Sequence, residues 1–214
     1  MSTPAPTPSP SAAPSPLPPS GPPRTAPPAT GVASAAWSVS PEDVGSADAA
    51  ALWRAYYTEV SDRYYLLHEG RRSDPDQLAR GIAAETGETL RPPGGTLLVA
   101  RYDGVAAGTA GVRLLGDPEE GVAELKRVFL LPRFRGRGGA ALLIGAAEDA
   151  ARALGARRLI LDTRSDLVEA RALYARLGYR ETAPYNDDAY AEHWYAKELP
   201  PPDRPPTARK PAAH

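Results

Sequence analysis

Leu52, Trp53, Tyr56, Tyr57 and Val60 recur at the spacing that lays apolar side chains along one face of a helix, which predicts an amphipathic helix over about residues 46–65. A second helix is expected over 74–85, with Pro75 in its first turn, where a missing N–H costs nothing. The run Arg91-Pro92-Pro93-Gly94-Gly95 breaks regular structure. Residues 96–102 and 105–114 are rich in small and branched apolar side chains and flank Asp103-Gly104, a pair suited to the positive φ angles of a type I′ turn. Two antiparallel strands follow. A further strand is expected over 122–130, ended by Pro132. From 138 to 154, Leu142, Leu143, Ala146, Ala147, Ala150 and Leu154 trace one helical face, with Glu148, Asp149 and Arg152 elsewhere and Gly155 as a stop. Residues 158–163 read as a short buried strand and 167–177 as a helix halted at Gly178, with Asp166 and Glu169 spaced like a capping box. An extended segment closes the pattern at 193–199. The order is helix, helix, hairpin, strand, helix, strand, helix, strand: an α/β chain with a mixed sheet and helices on both faces.

The pattern fails at both ends. Residues 1–36 consist almost wholly of Pro, Ala, Ser, Thr and Gly, and 200–214 read the same way; such segments bury too little apolar surface to offset their chain entropy, so two disordered tails are expected around one domain at 37–199. The start lacks the basic residues and apolar run of an export signal, and no stretch approaches the roughly 18 apolar residues that span a bilayer. A cytoplasmic protein without membrane contact is the expectation. The absence of cysteine removes thiolate metal sites, His68 and His193 are isolated, and no metal spacing exists. A net charge of −1 gives no reason to expect nucleic acid. Asp187-Asp188 could attract a cationic amine but reads better as a solvated turn.

The chemistry concentrates in Val128-Phe129-Leu130-Leu131-Pro132-Arg133-Phe134-Arg135-Gly136-Arg137-Gly138-Gly139-Ala140, a strand that passes through a basic glycine turn into a helix. Backbone N–H groups at a helix start have no partners inside the helix and carry partial positive charge, which makes them an anion site. Glycines allow close approach, and Arg133, Arg135 and Arg137 can contact more than one phosphate. A di- or triphosphorylated ligand is implied. Gly136-x-Gly138-x-x-Ala141 also satisfies the dinucleotide fingerprint, with Asp162 placed like its ribose-binding acid. That fingerprint needs the strand to run straight into its first glycine, and here residues 132–135 intervene; too little chain would remain for a doubly wound sheet.

Arg133-x-x-Gly136-x-Gly138 resembles the phosphate-binding motif of the GNAT N-acetyltransferases. Ala170-x-x-Leu173-Tyr174-x-x-Leu177-Gly178-Tyr179 is similar to that family's tyrosine helix, and Trp194-Tyr195-x-Lys197-x-Leu199 to its closing strand. Leu167 departs from the pattern, since many members carry Asn seven residues before the tyrosine. The resemblance implies a mostly antiparallel sheet of six to seven strands whose central parallel pair splays apart. Acetyl-CoA would be the co-substrate, its pantetheine arm along Val128, Phe129 and Leu130 and its pyrophosphate on the N–H groups of residues 135–140. An amine would attack the thioester directly, with a backbone N–H near Leu130 stabilising the oxyanion. Tyr174 takes the place of the general acid, with a core tyrosine as the alternative; Glu124 takes that of a general base, with a solvated carboxylate paired to Lys126 or Arg127 as the alternative. A homodimer is compatible with the family. A degenerate acyl-CoA-binding sensor is the second functional class.

Overall fold

The structure, a computed structural model, describes residues 36–200. The tails expected at 1–36 and 200–214 lie outside that range except for their two inner residues. In chain order the elements are β1 (Trp37–Glu42), α1 (Ala47–Glu69), α2 (Pro75–Ala84), β2 (Gly95–Tyr102), β3 (Val105–Leu115), β4 (Val122–Leu130), α3 (Gly139–Ala153), β5 (Arg158–Thr163), α4 (Val168–Arg176), β6 (Arg180–Glu181) and β7 (His193–Glu198). One seven-stranded sheet runs β1-β2-β3-β4-β5-β7-β6, and only β4 and β5 are parallel.

Local signals explain most boundaries. The Ser46 hydroxyl accepts from Ala49 N–H at 3.1 Å to start α1, and Gly70 ends it in the left-handed region at φ 66°. Asp74 caps α2 by accepting from Gln77 N–H at 2.7 Å. Tyr102 pairs with Val105 across a two-residue loop in which Asp103 and Gly104 have φ of 50° and 79°, the geometry of a type I′ hairpin.

Two strands escape the sequence pattern. β1 holds only Trp37 and Val39 as large apolar residues and contains Pro41; it exists because it adds to the edge of the sheet, pairing with β2 from Trp37↔Tyr102 to Glu42↔Leu97. β6 is two residues long and stands at the other edge. In α3 the buried arc is rotated from the expected face. Leu142 is 53% exposed, while Leu143, Ile144, Ala147 and Ala151 are buried, as is Glu148, whose carboxylate accepts from Lys197 Nζ at 2.7 Å. The helix meets both the sheet face and β7, so its contact arc is wider than one stripe, and a lysine from β7 makes the buried glutamate tolerable. Asp166 does not cap α4: the cap position is Leu167, without a side-chain bond, and the Asp166 carboxylate instead receives Arg164 at 2.8 and 3.0 Å.

Apolar side chains collect on both faces of the sheet. The larger core joins Ala123, Leu125, Leu159 and Leu161 to Leu143 and Tyr174 from α3 and α4. The smaller joins Leu97 to Ala49 and Trp53 of α1. The period of two along each strand puts Glu124, Arg113, Asp162 and Trp194 on the face opposite the larger core.

Candidate active site

β4 and β5 pair only over Val122↔Arg158, Ala123↔Leu159 and Glu124↔Ile160, after which they separate. The rest of β4 keeps its pairing with β3 but has an open edge towards β5. Along that stretch β4 carries one residue more than β3: Gly111 faces Lys126 and Thr109 faces Phe129, so Arg127 and Val128 together oppose Ala110. This is a β-bulge, and Arg127 occupies it at φ 54°, a conformation that costs a non-glycine residue free energy. Its guanidinium lies 4.3 Å from the Trp53 ring, donates to the Tyr57 hydroxyl at 3.0 Å and pairs with Glu85, contacts that hold the bulge to α1 and to the segment after α2. Leu131 N–H donates to Ala107 of β3 at 2.9 Å; by alternation, Leu130 N–H points the other way, into the gap.

A cleft of about 1500 Å³ occupies the gap. Its walls are the open edge of β4 from Leu125 to Leu130, α1 with Tyr56 and Tyr64, the glycine turn, and α4 with Tyr174. Gly136 and Gly138 have φ of 75° and 80°, and a Cβ at either would meet nothing within 4 Å. Backbone conformation rather than crowding demands glycine there. Gly138 is the N-cap of α3 and offers no side-chain bond to the first turn. The N–H groups of Gly139, Ala140 and Ala141 therefore have no intrahelical acceptor, and all three residues line the cleft. Gly139 is different: a Cβ there would stand 2.3 Å from the Trp37 ring, whose Nε1 donates to the Arg137 carbonyl at 2.8 Å.

The expectation that three arginines reach into the phosphate site needs correction. Arg135 lines the cleft, bonded to the Leu130 carbonyl at 2.9 Å and to both Glu59 oxygens at 2.7 and 2.8 Å. Arg133 and Arg137 are off the wall, their guanidinium groups 4.8 Å from the Phe134 ring and 5.1 Å from the Tyr102 ring. Aromatic faces near β1 and β2 hold both side chains, so neither guanidinium stands on the cleft wall.

Tyr174 is 6% exposed and stands on the cleft wall, its ring packed against Tyr179 and Tyr195 at 5.8 and 6.1 Å. Burial pushes its hydroxyl above the ordinary tyrosine range, so it stays protonated and able to donate. It is at once a core residue and a wall residue, two roles that periodicity sets as alternatives.

Glu124 is 1% exposed and does not line the cleft. Its carboxylate accepts from Arg113 Nε at 2.6 Å, Lys126 Nζ at 3.4 Å and the Tyr185 hydroxyl at 3.1 Å. Of the alternative reading, the pairing with Lys126 is present, but the carboxylate is buried rather than solvated and Arg127 is no partner, being committed to Glu85. Tyr185 also reaches Asp162 Oδ2 at 3.3 Å, to which Asn186 Nδ2 donates at 2.6 Å. Asp162 lines the cleft at the end of β5. The sequence marks Asp162 only through the dinucleotide fingerprint, and β3 antiparallel to β4 excludes the doubly wound sheet which that fingerprint requires. Tyr185, Asn186 and Arg113 carry no local signal at all.

Among the described residues no group of three acidic, histidine or cysteine side chains could hold a metal ion, and no helix is long and apolar enough to cross a membrane.

Comparison with known proteins places this geometry. A profile of the acetyltransferase (GNAT) family matches residues 51–179. The uncharacterized N-acetyltransferase YjgM of Escherichia coli is 38% identical over 87 residues, which is 41% of this chain and 52% of that protein. An IAA acetyltransferase of Azospirillum brasilense is 35% identical over 98 residues, 46% of this chain and 63% of that one. The chain thus spans between half and two thirds of the length of these relatives. A GNAT-family acetyltransferase from Staphylococcus aureus superposes with a TM-score of 0.55 at 15% identity, covering 77% of this chain and 99% of that one. An N-acetyltransferase from Thermoplasma acidophilum in complex with coenzyme A gives 0.53 at 13%, covering 76% and 99%. The glycine turn, the tyrosine helix and the splayed strands lie in a chain that belongs to the GNAT acetyltransferase family.

Proposed function

We propose that this chain is an N-acetyltransferase that moves an acetyl group from acetyl-CoA to a primary amine by direct attack. The observation that carries the reading is the separation of β4 from β5 after Glu124, which leaves an unpaired strand edge beside free helix-start N–H groups. A pantetheine arm carries amide groups that suit such an edge, in the manner of an added strand. A pyrophosphate suits the free N–H groups of Gly139, Ala140 and Ala141, with the positive end of α3 behind it; the Arg135 N–H, expected to join them, donates instead to the Pro132 carbonyl at 3.2 Å. Leu130 N–H points into the gap and would donate to the thioester oxygen as negative charge builds there. Tyr174, kept protonated by burial, would give its proton to the departing thiolate. No covalent enzyme intermediate is needed.

The acceptor would enter between α1 and the segment near Tyr190, where Tyr56, Tyr64 and Tyr190 form an aromatic wall; Tyr64 and Tyr190 meet edge to face at 5.2 Å. Glu124 belongs to this site as the buried carboxylate behind the wall. Arg113 and Lys126 both engage its carboxylate, and the Tyr185 hydroxyl links it to Asp162 on the wall. Measuring thiol release from acetyl-CoA with a panel of primary amines tests the proposal. Turnover supports it, and tight CoA binding without turnover of any amine would favour an acyl-CoA sensor.

A further inference from the structure

We propose that Asp162 is the carboxylate that binds the acceptor's ammonium group and takes its proton, and that Tyr185 and Asn186 hold it in place for that work. The assignment rests on the acyltransferase reading above.

The charges along the cleft single out Asp162. Glu59, Glu85 and Glu169 on the wall each face an arginine, respectively Arg135, Arg127 and Arg63. Asp74 and Asp188 are turned to backbone N–H groups, at the start of α2 and in the turn before Tyr190. Asp162 is bonded only by neutral side chains, Asn186 at 2.6 Å and Tyr185 at 3.3 Å, and among the described residues it has no ion pair. Asn186 is itself fixed, accepting from Trp194 Nε1 at 2.8 Å, and Trp194 is the register partner of Asp162 on β7. Half-buried and held by neutral donors, this carboxylate is rigidly aimed and has no protein cation beside it among the described residues. It is a ready counterion for a cation from outside.

Its surroundings suit proton transfer. Asp162, the last residue but one of β5, stands at the mouth of the splay on the same face of the sheet as Glu124. Tyr56 from α1 and Tyr174 from α4 both face its charge, and Arg164, two residues on, is occupied by Asp166 and the Val60 carbonyl. Tyr185 has one hydroxyl proton and two carboxylates within reach, so it can leave Asp162 for Glu124, 3.1 Å away, when Asp162 becomes protonated. Glu124, pinned by Arg113 and Lys126, is then the positioning group for Tyr185.

One proton of the ammonium passes to an Asp162 oxygen, and the freed nitrogen lone pair forms the C–N bond. The C–S bond breaks, the thiolate takes the Tyr174 proton, and the second nitrogen proton restores Tyr174. Asp162 then loses its proton to solvent at the open cleft. The acceptor class is a primary alkylammonium on an apolar or aromatic body, because the tyrosine wall beside Asp162 favours a cation next to ring faces.

The test compares wild type, Asp162→Asn and Tyr185→Phe in the full chain, with kcat and KM measured from pH 6.5 to 9.5 for the best alkylamine found. Asp162→Asn should lose about a hundredfold in kcat/KM near neutrality, with the loss shrinking as rising pH supplies neutral amine. KM for the amine should rise while acetyl-CoA affinity stays the same. Tyr185→Phe should show the same pH dependence at about a tenth of the size. Turnover by wild type with an undiminished or pH-independent ratio in Asp162→Asn overturns the assignment alone. No thiol release from any amine overturns the acyltransferase reading and this assignment together. If Asp162→Asn does not fold, Tyr185→Phe decides, and a flat ratio there counts against the proposal.

Discussion

Trp37 and Gly139 are in direct contact: the indole covers the backbone at the first residue of α3 so closely that a methyl group there would stand 2.3 Å from the ring. The same indole donates to the Arg137 carbonyl at 2.8 Å. An edge strand thus braces the glycine turn from behind, while Gly136 and Gly138 leave its front open. Gly139→Ala should displace either the indole or the start of α3 and weaken acetyl-CoA binding by about tenfold, with a modest fall in Tm. Trp37→Phe keeps most of the ring and loses the hydrogen bond, so it should weaken binding less. Calorimetric titration of both variants with CoA checks this, and unchanged affinity in Gly139→Ala would show that the brace does not matter.

Gly138 concerns the front of the same turn. At φ 80° a valine is strained, and its side chain would project where the phosphates are expected. Acetyl-CoA at about a hundred times its Kd should stabilise wild type by roughly 2.7 kcal/mol, visible as a rise in Tm, and NAD should not. Gly138→Val should lose that rise. A shift with NAD alone would end the acyltransferase reading.

Tyr174→Phe removes one hydroxyl from a ring that packs on Tyr179 and Tyr195. Turnover should fall by about a hundredfold with acetyl-CoA affinity nearly unchanged, since only the proton donor is lost. Stability should gain tolerance to alkali. Burial raises the Tyr174 value in the folded state, so folding favours the protonated form; that contribution is intact below the unfolded tyrosine value of about 10 and is lost as pH rises towards the folded one. Thermal melts from pH 8 to 11 should show wild type declining more steeply than the phenylalanine variant. Parallel curves would mean that Tyr174 ionises freely.

Glu124→Gln leaves Arg113 and Lys126 without their buried counter-charge. Both cations are 30% exposed and partly hydrated, so the expected loss is about 2 kcal/mol of stability, below the usual cost of stranding a fully buried charge. Any fall in kcat/KM should follow the pH dependence of Tyr185→Phe and be no larger, because Glu124 acts through Tyr185. A hundredfold loss in Glu124→Gln together with full turnover in Asp162→Asn would make Glu124 itself the base.

Sequence pattern by itself determined the order of the long elements, the type I′ turn at Asp103-Gly104 and the glycine turn before α3, because each rests on contacts within a few residues: helical spacing, turn chemistry and cap geometry. The residues of β4 and β5 were readable to their ends for the same reason. What could not be read depends on chain segments far apart. β1 is a strand only because β2 offers it an edge, and Trp37 matters only because a turn a hundred residues later passes beneath it. Glu148 sits on an apparently polar helix face until Lys197 arrives from β7. Arg133 and Arg137 look alike with Arg135 in the sequence, yet aromatic rings near β1 and β2 draw the first two away from the cleft while Glu59 holds the third in it. Glu124 reads as a strand carboxylate, and the fold alone buries it under Arg113 and Lys126, bringing Tyr185 and Asn186 from the loop before β7 to Asp162. Local propensity acts over a few residues, whereas charge pairing and burial are set by whatever the sheet brings together, and those two terms decide which carboxylate faces the cleft.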